Sequence, residues 1–169
     1  MHQLFRRQLA VYAQYHRDPR NCLTHYVGVP ILFVAVMLPL QSWHVPLGSL
    51  SVPLAVLLLL PAAAWWIILD AGVGITVLLL TIPLLAIADL IDRNVGPIWM
   101  WLIAAALFAI GWFFQLLGHT VFERRRPAFV DDLHQTMIGP MFVAAKLLRL
   151  FGLREDLAAA MQERPAQLA

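Results

Sequence analysis

Long apolar stretches separated by short polar ones run through most of the chain, and their spacing predicts helices. The first stretch, Tyr26 to Leu40, is short for a membrane span. The second, Leu47 to Leu69, carries Pro53 and Pro61 as expected kinks. The third, Ala71 to Ile91, has Pro83 inside, and the fourth, Pro97 to Gly118, holds no charged residue. A spanning helix needs about 20 apolar residues, with a range of roughly 17–25. The first stretch therefore spans only if its ends are extended, or if it is tilted or partly inserted. Prolines are tolerated in such helices when neighbours satisfy the freed carbonyls. Ahead of these stretches, residues 2–16 read as an amphipathic helix with Phe5, Leu9, Tyr12 and His16 on one face. The polar "RDPRN" that follows (Arg17 to Asn21) reads as a turn, because Pro19 removes a donor and favours an extended residue before it. Residues 119–135 read as a loop. Residues 139–152 read as a helix lying at the interface, opened by Gly139-Pro140 and carrying Lys146 and Arg149.

Composition turns this pattern into a fold class. The 169 residues are 61% hydrophobic and only 13% charged, with a mean hydropathy of +0.74. Soluble domains use roughly 45–50% apolar and about 25% charged residues. The chain is therefore expected to be a single all-α integral membrane domain over residues 1–169 with about four transmembrane helices. No cleavable leader is apparent, because Arg6 and Arg7 are followed by polar residues instead of an apolar core. The single Cys22 excludes an internal disulfide and a cysteine metal cluster. A net charge of +2 gives no reason to expect nucleic acid as a partner; the lipid bilayer is the expected one.

Charge placement predicts topology. Four of the twelve Lys and Arg residues precede the apolar region (Arg6, Arg7, Arg17, Arg20). Seven follow it (Arg124, Arg125, Arg126, Lys146, Arg149, Arg154, Arg164), and only Arg93 lies between. The positive-inside rule then puts both ends in the cytoplasm, which requires an even number of spans. In a bacterium the expected location is the inner membrane. This topology gathers His16, His25, His119 and Glu123 at the cytoplasmic interface and puts His44 on the other side.

These residues carry the candidate chemistry. On a continued fourth helix, His119 and Glu123 project from one face at i, i+4. Two histidines, a carboxylate and open positions suit non-haem Fe(II). His16 and His25 stand nine residues apart across a turn that could aim both at one centre. The bland alternatives are an interfacial His25 with Thr24 as a helix cap, and His16 as the polar tip of an amphipathic helix. The residues alone leave a metal site and a set of interfacial histidines both open. Arg124, Arg125 and Arg126 read first as topogenic charge, with one of them, Arg124 or Arg126, as a candidate clamp for a substrate carboxylate. Asp89 is read as interfacial, His134 as a solvated loop residue, and His2 as terminal. The six tryptophans are read mainly as interface belt and lipid-facing packing.

"YAQYHRDPRNCLTHYVGVP", followed after the apolar stretches by "GWFFQLLGHTVFERRRPAF" and "DDLHQTMIGPMFV", resembles a known family. It is similar to the membrane-bound 2-hydroxy fatty acid dioxygenases first associated with phytosphingosine breakdown in yeast. The likeness covers roughly Leu9 to Val143. It implies an Fe(2+)-dependent enzyme that uses O2 to shorten a 2-hydroxy fatty acid by one carbon. It implies His16, His25 and His119 as metal ligands. Glu123, in the second block, is expected as the carboxylate ligand or as a partner that orients a histidine. Asn21 and Tyr15 are candidate supporting donors. The rival readings are a di-iron hydroxylase or desaturase, which lacks its repeated histidine clusters here, and a non-enzymatic small transporter or scaffold.

Overall fold

The computed structural model describes residues 1–163. Arg164, one of the C-terminal charges, lies outside the described residues. The protein is an all-α membrane protein with one small β-hairpin. Helix α1 (Gln3–Gln14) buries Phe5, Leu9 and Tyr12, as its stripe predicts, and Ala10 besides, and it ends before His16.

Helix α2 (Pro19–Ser42) begins seven residues before the expected Tyr26 and settles the doubt about its length. The Asp18 side chain accepts from Arg20 N–H at 2.8 Å and caps the helix, and Pro19 takes the first position, where a missing N–H costs nothing. The expected turn "RDPRN" is thus largely a helix start, and Thr24 is not the cap. The Thr24 hydroxyl donates to Asn21 C=O at 2.7 Å. At 24 residues, α2 is about 36 Å long.

The expected second span is divided. Strands β1 (His44–Leu47) and β2 (Leu50–Pro53) pair antiparallel, with Val45 opposite Val52. The link is Gly48-Ser49, with Gly48 at φ 63°, the conformation glycine adopts freely. Helix α3 (Leu54–Leu69) has only 16 residues, about 24 Å. It follows Pro53, so the strands consume the residues the apolar run seemed to offer to a span.

Helices α4 (Ala71–Asn94) and α5 (Pro97–Leu117) match the expected third and fourth spans. Among the described residues, three helices are long and apolar enough to cross a membrane: α2, α4, and α5 with its continuation to Glu123. Exposed Leu79, Ile82, Ile98 and Phe113 give their outer faces a lipid-compatible surface. The ends show how the helices alternate. Leu54 N–H donates to Trp43 C=O, and Ser42 hydroxyl bonds Asp92, so the hairpin, the end of α2 and the end of α4 share one end of the bundle. At the other end, His2 N–H donates to Leu69 C=O at 2.8 Å.

That second end is closed by the non-spanning helices. Helix α6 (Gln135–Leu150) starts four residues before the expected Gly139 and packs into the bundle. Met141, Phe142, Val143, Ala144 and Ala145 are buried, and α6 packs on α1, α2 and α4. Helix α7 (Glu155–Gln162), which no pattern announced, packs on α1. Asp70 ties this end together. It takes both Arg154 guanidinium nitrogens at 2.9 and 2.8 Å and caps α4 through Val73 N–H at 3.0 Å. Burial alone would push the Asp70 carboxyl up, but these donors outweigh it and hold the group at about 2. Arg6 of α1 also pairs with Glu163, just after α7.

Candidate metal centre and its cavity

Three separate stretches deliver one histidine each to the same buried point. His16 follows the end of α1, His25 lies in the second turn of α2, and His119 lies just beyond α5. They are only 3%, 2% and 2% exposed, so none is a solvated interfacial residue. The three ring centroids lie 4.4, 4.9 and 5.0 Å apart. One nitrogen from each ring falls within 4.8 Å of the other two.

The backbone sets the tautomers of two rings. His16 Nδ1 lies 2.9 Å from Tyr12 C=O, and His25 Nδ1 lies 2.9 Å from Asn21 C=O. A carbonyl only accepts, so each Nδ1 carries the proton and each Nε2 keeps a lone pair. Those two Nε2 atoms stand 3.0 Å apart. Two lone pairs at that distance repel unless a cation lies against both. His119 Nδ1 is buried with no hydrogen-bond partner. Burial, reinforced by the neighbouring His25, pushes the His16 imidazolium well below its ordinary pKa, so a proton is a poor cation for this place. Neutral imidazoles with outward Nδ1–H bonds and inward Nε2 lone pairs are what a divalent transition metal requires. The donor set fits the metal that the histidines suggest.

The surroundings hold the rings still. Tyr12 stacks on His16 with centroids 4.2 Å apart and planes 4° from parallel. Phe142 of α6 lies 5.2 Å from the His16 ring. His119 sits in a π-helical turn, Gly118–Glu123, of the kind often found at functional sites. The wider turn changes where Glu123 points. Its carboxylate accepts from Arg17 N–H and Asp18 N–H at 3.0 Å each and from Asn21 Nδ2 at 3.1 Å. It sits on the positive start of α2, outside the three-histidine group. The expected i, i+4 pairing of His119 and Glu123 on one centre therefore does not form, because an α-helical register was assumed for a π turn. Glu123 instead braces Asn21, whose carbonyl holds His25. Glu123→Ala is expected to weaken metal binding by roughly 10–100-fold without abolishing it. Titration with a competing chelator checks this; total loss of metal would make Glu123 a ligand.

The other nominated residues lie elsewhere. Arg124 is exposed in a left-handed conformation at φ 52°. Arg126 is exposed and pairs with Asp131 at 3.1 Å. Neither lines the cavity described below, so the expected carboxylate clamp is not in its wall. Arg125 covers the Tyr15 ring at 3.7 Å. The Tyr15 hydroxyl donates to Asp131 at 2.6 Å and does not support a histidine, whereas Asn21 does. His134 is exposed beside Asp132, His44 is in β1 at the far end, and His2 caps α1. Asp89 pairs with Arg93 at 2.8 Å.

From the histidines a cavity of about 780 Å³ runs into the bundle. Its walls are apolar: Leu32 and Val36 of α2, Ala62 and Trp65 of α3, Phe108 and Trp112 of α5. Such a volume suits one small organic ligand. His25 and Val36 are eleven residues apart on α2, so the cavity follows that helix for about 16 Å. Two of its residues escaped sequence reasoning. Trp66 is not a lipid-facing belt residue: it is 4% exposed and donates to Met137 C=O at 3.0 Å. Gln115 is a buried amide one turn before His119, and an amide inside an uncharged span was itself a signal.

Comparison with known proteins agrees with this geometry. The profile of the family described as "2-hydroxy-palmitic acid dioxygenase Mpo1-like" matches residues 2–150. The chain belongs to the Mpo1-like family. A relative in Saccharomyces cerevisiae, the "2-hydroxy-palmitic acid dioxygenase MPO1", is 33% identical over 158 residues, covering 93% of this chain and 87% of the yeast protein. No solved structure matches. The Mpo1-like match runs from the start of α1 to the end of α6, so it takes in all three histidines and the whole cavity wall.

Proposed function

We propose that this Mpo1-like protein is an Fe(2+)-dependent dioxygenase that uses O2 to shorten 2-hydroxy fatty acids by one carbon. The observation that carries this reading is the pair of inward-facing histidine lone pairs, joined by His119, at the end of an apolar cavity. His16, His25 and His119 hold the metal. Bound there, ferrous iron supplies Lewis acidity toward a chelating 2-hydroxy acid and the redox chemistry that O2 requires.

The chain's own residues do the rest. Tyr12 and Asn21 carbonyls hold His16 and His25 in the metal-binding tautomer. The apolar walls take the acyl chain and keep bulk water from the reacting end. The cavity lies between α3 and α5, each of which packs on α2, so an acid dissolved in the bilayer reaches it from the side. Arg124, Arg125 and Arg126 mark the histidine end as the cytoplasmic one, and in a bacterial cell the host is the inner membrane. A transporter or scaffold would have no use for three converging imidazoles.

Oxygen uptake by the detergent-solubilised protein, loaded anaerobically with Fe(2+), tests the proposal. With 2-hydroxypalmitic acid, O2 is expected to be consumed and the acid one carbon shorter to form. With palmitic acid neither is expected. A metal-loaded protein that consumes no O2 with 2-hydroxy acids of any length would overturn it.

A further inference from the structure

A carboxylate entering this cavity needs more than a metal, since only part of it can face the histidines. Among the described residues, no Lys or Arg lines the cavity wall. The remaining partner must be a neutral donor.

Gln115 carries such a donor beside the histidines. The residue is 8% exposed, and Nε2 is buried without a hydrogen-bond partner among the described residues. An amide nitrogen left so is costly, and buried polar groups in native proteins are almost always paired. Gln115 precedes His119 by four residues, and both line the cavity. On the other wall, Gly28 follows His25 by three residues, and a Cβ placed there would meet Gln115 Nε2 at 3.0 Å. The amide thus fits into space left by a missing side chain, one helical turn inward from two of the histidines. The other unpartnered amide atom on the wall, Gln135 Oε1, is an acceptor and cannot serve a carboxylate. The Trp66 indole N–H is already spent on Met137 C=O.

We propose that Gln115, its terminal amide turned so that Nε2 faces the cavity, donates to the substrate carboxylate, making Gln115 the head-group recognition residue of the cavity. This rests on the dioxygenase reading for the substrate class but is read in binding, not turnover. The experiment measures dissociation constants anaerobically, where no turnover occurs, on Fe(2+)-loaded protein. The probes are 2-hydroxypalmitic acid and hexadecane-1,2-diol, which keeps the hydroxyl and lacks the carboxylate. Gln115→Leu is expected to weaken the acid about tenfold or more and leave the diol within about twofold. Gln115→Glu is expected to weaken the acid further, by opposing two carboxylates. Gln115→Met, close in shape to glutamine, replaces the leucine variant if that one misfolds. Iron content equal to wild type in each variant shows that the centre is intact.

Unchanged acid binding in the leucine and methionine variants would overturn the assignment. So would equal losses for acid and diol, which would mark a packing role. Failure of the dioxygenase reading shows separately, as a wild-type protein that binds both probes yet consumes no O2.

Discussion

Replacing His119 by alanine is expected to reduce bound iron from about one per chain to background, and to remove O2 consumption with it. The three ring nitrogens within 4.8 Å of one another leave no spare ligand among the described residues, since Glu123 is engaged at the start of α2. Losing one of three histidines should cost more than the roughly 10–100-fold typical of losing an outer partner. Folding should change little. In the metal-free protein His119 Nδ1 is a buried group without a partner, so its removal relieves a desolvation cost that offsets the lost packing. The metal-free variant is expected to unfold within about 1 kcal/mol of metal-free wild type. Metal analysis and thermal unfolding in detergent check the two halves together. Full iron in a folded His119→Ala protein would remove the basis of the proposed centre.

Gly118→Val is expected to damage fold and site at once. A Cβ on Gly118 would collide with Thr24 Oγ1 and Asn21 Oδ1, atoms of the facing helix. Neither can retreat freely. Thr24 is bonded to Asn21 C=O, and Asn21 Nδ2 bonds Tyr15 C=O and Glu123. Helices α2 and α5 must therefore part. Overpacking of this kind costs typically about 1–3 kcal/mol. Because Asn21 C=O orients His25, the displacement also reaches the metal ligands. A large fall in unfolding temperature is expected, with iron binding weakened at least as much as in Glu123→Ala. Gly96→Ala is the control, since a Cβ there meets nothing within 4 Å. Wild-type stability and iron in Gly118→Val would show that the two helices tolerate separation and that the bracing of His25 is not needed.

Much of this protein is determined by short-range pattern. The 3.6-residue stripe of α1 needs only its own residues to identify the buried face, and Phe5, Leu9 and Tyr12 are buried. The uncharged run in α5 and the apolar length of α4 meet the requirement of a bilayer without reference to neighbours. The three histidines were legible too, because charge placement and motif blocks put them at one end of the bundle before any contact was known.

Tertiary structure decided the rest, wherever a residue's role depends on a partner far away in sequence. The start of α2 is held by Glu123, more than 100 residues away, which accepts from the Arg17 and Asp18 N–H groups just ahead of the helix. The fate of residues 44–53 depends on one strand pairing with the next, which hydropathy does not measure. Glu123 left the metal centre because the α5 continuation is a π turn, and no i, i+4 rule anticipates that register. Arg126 is spent on Asp131, and α6 is buried because α1, α2 and α4 cover it. The cavity belongs to no single element. Residues of α2, α3 and α5 line it together, α3 and α5 both packing on α2, and it reaches the three imidazoles and Gln115.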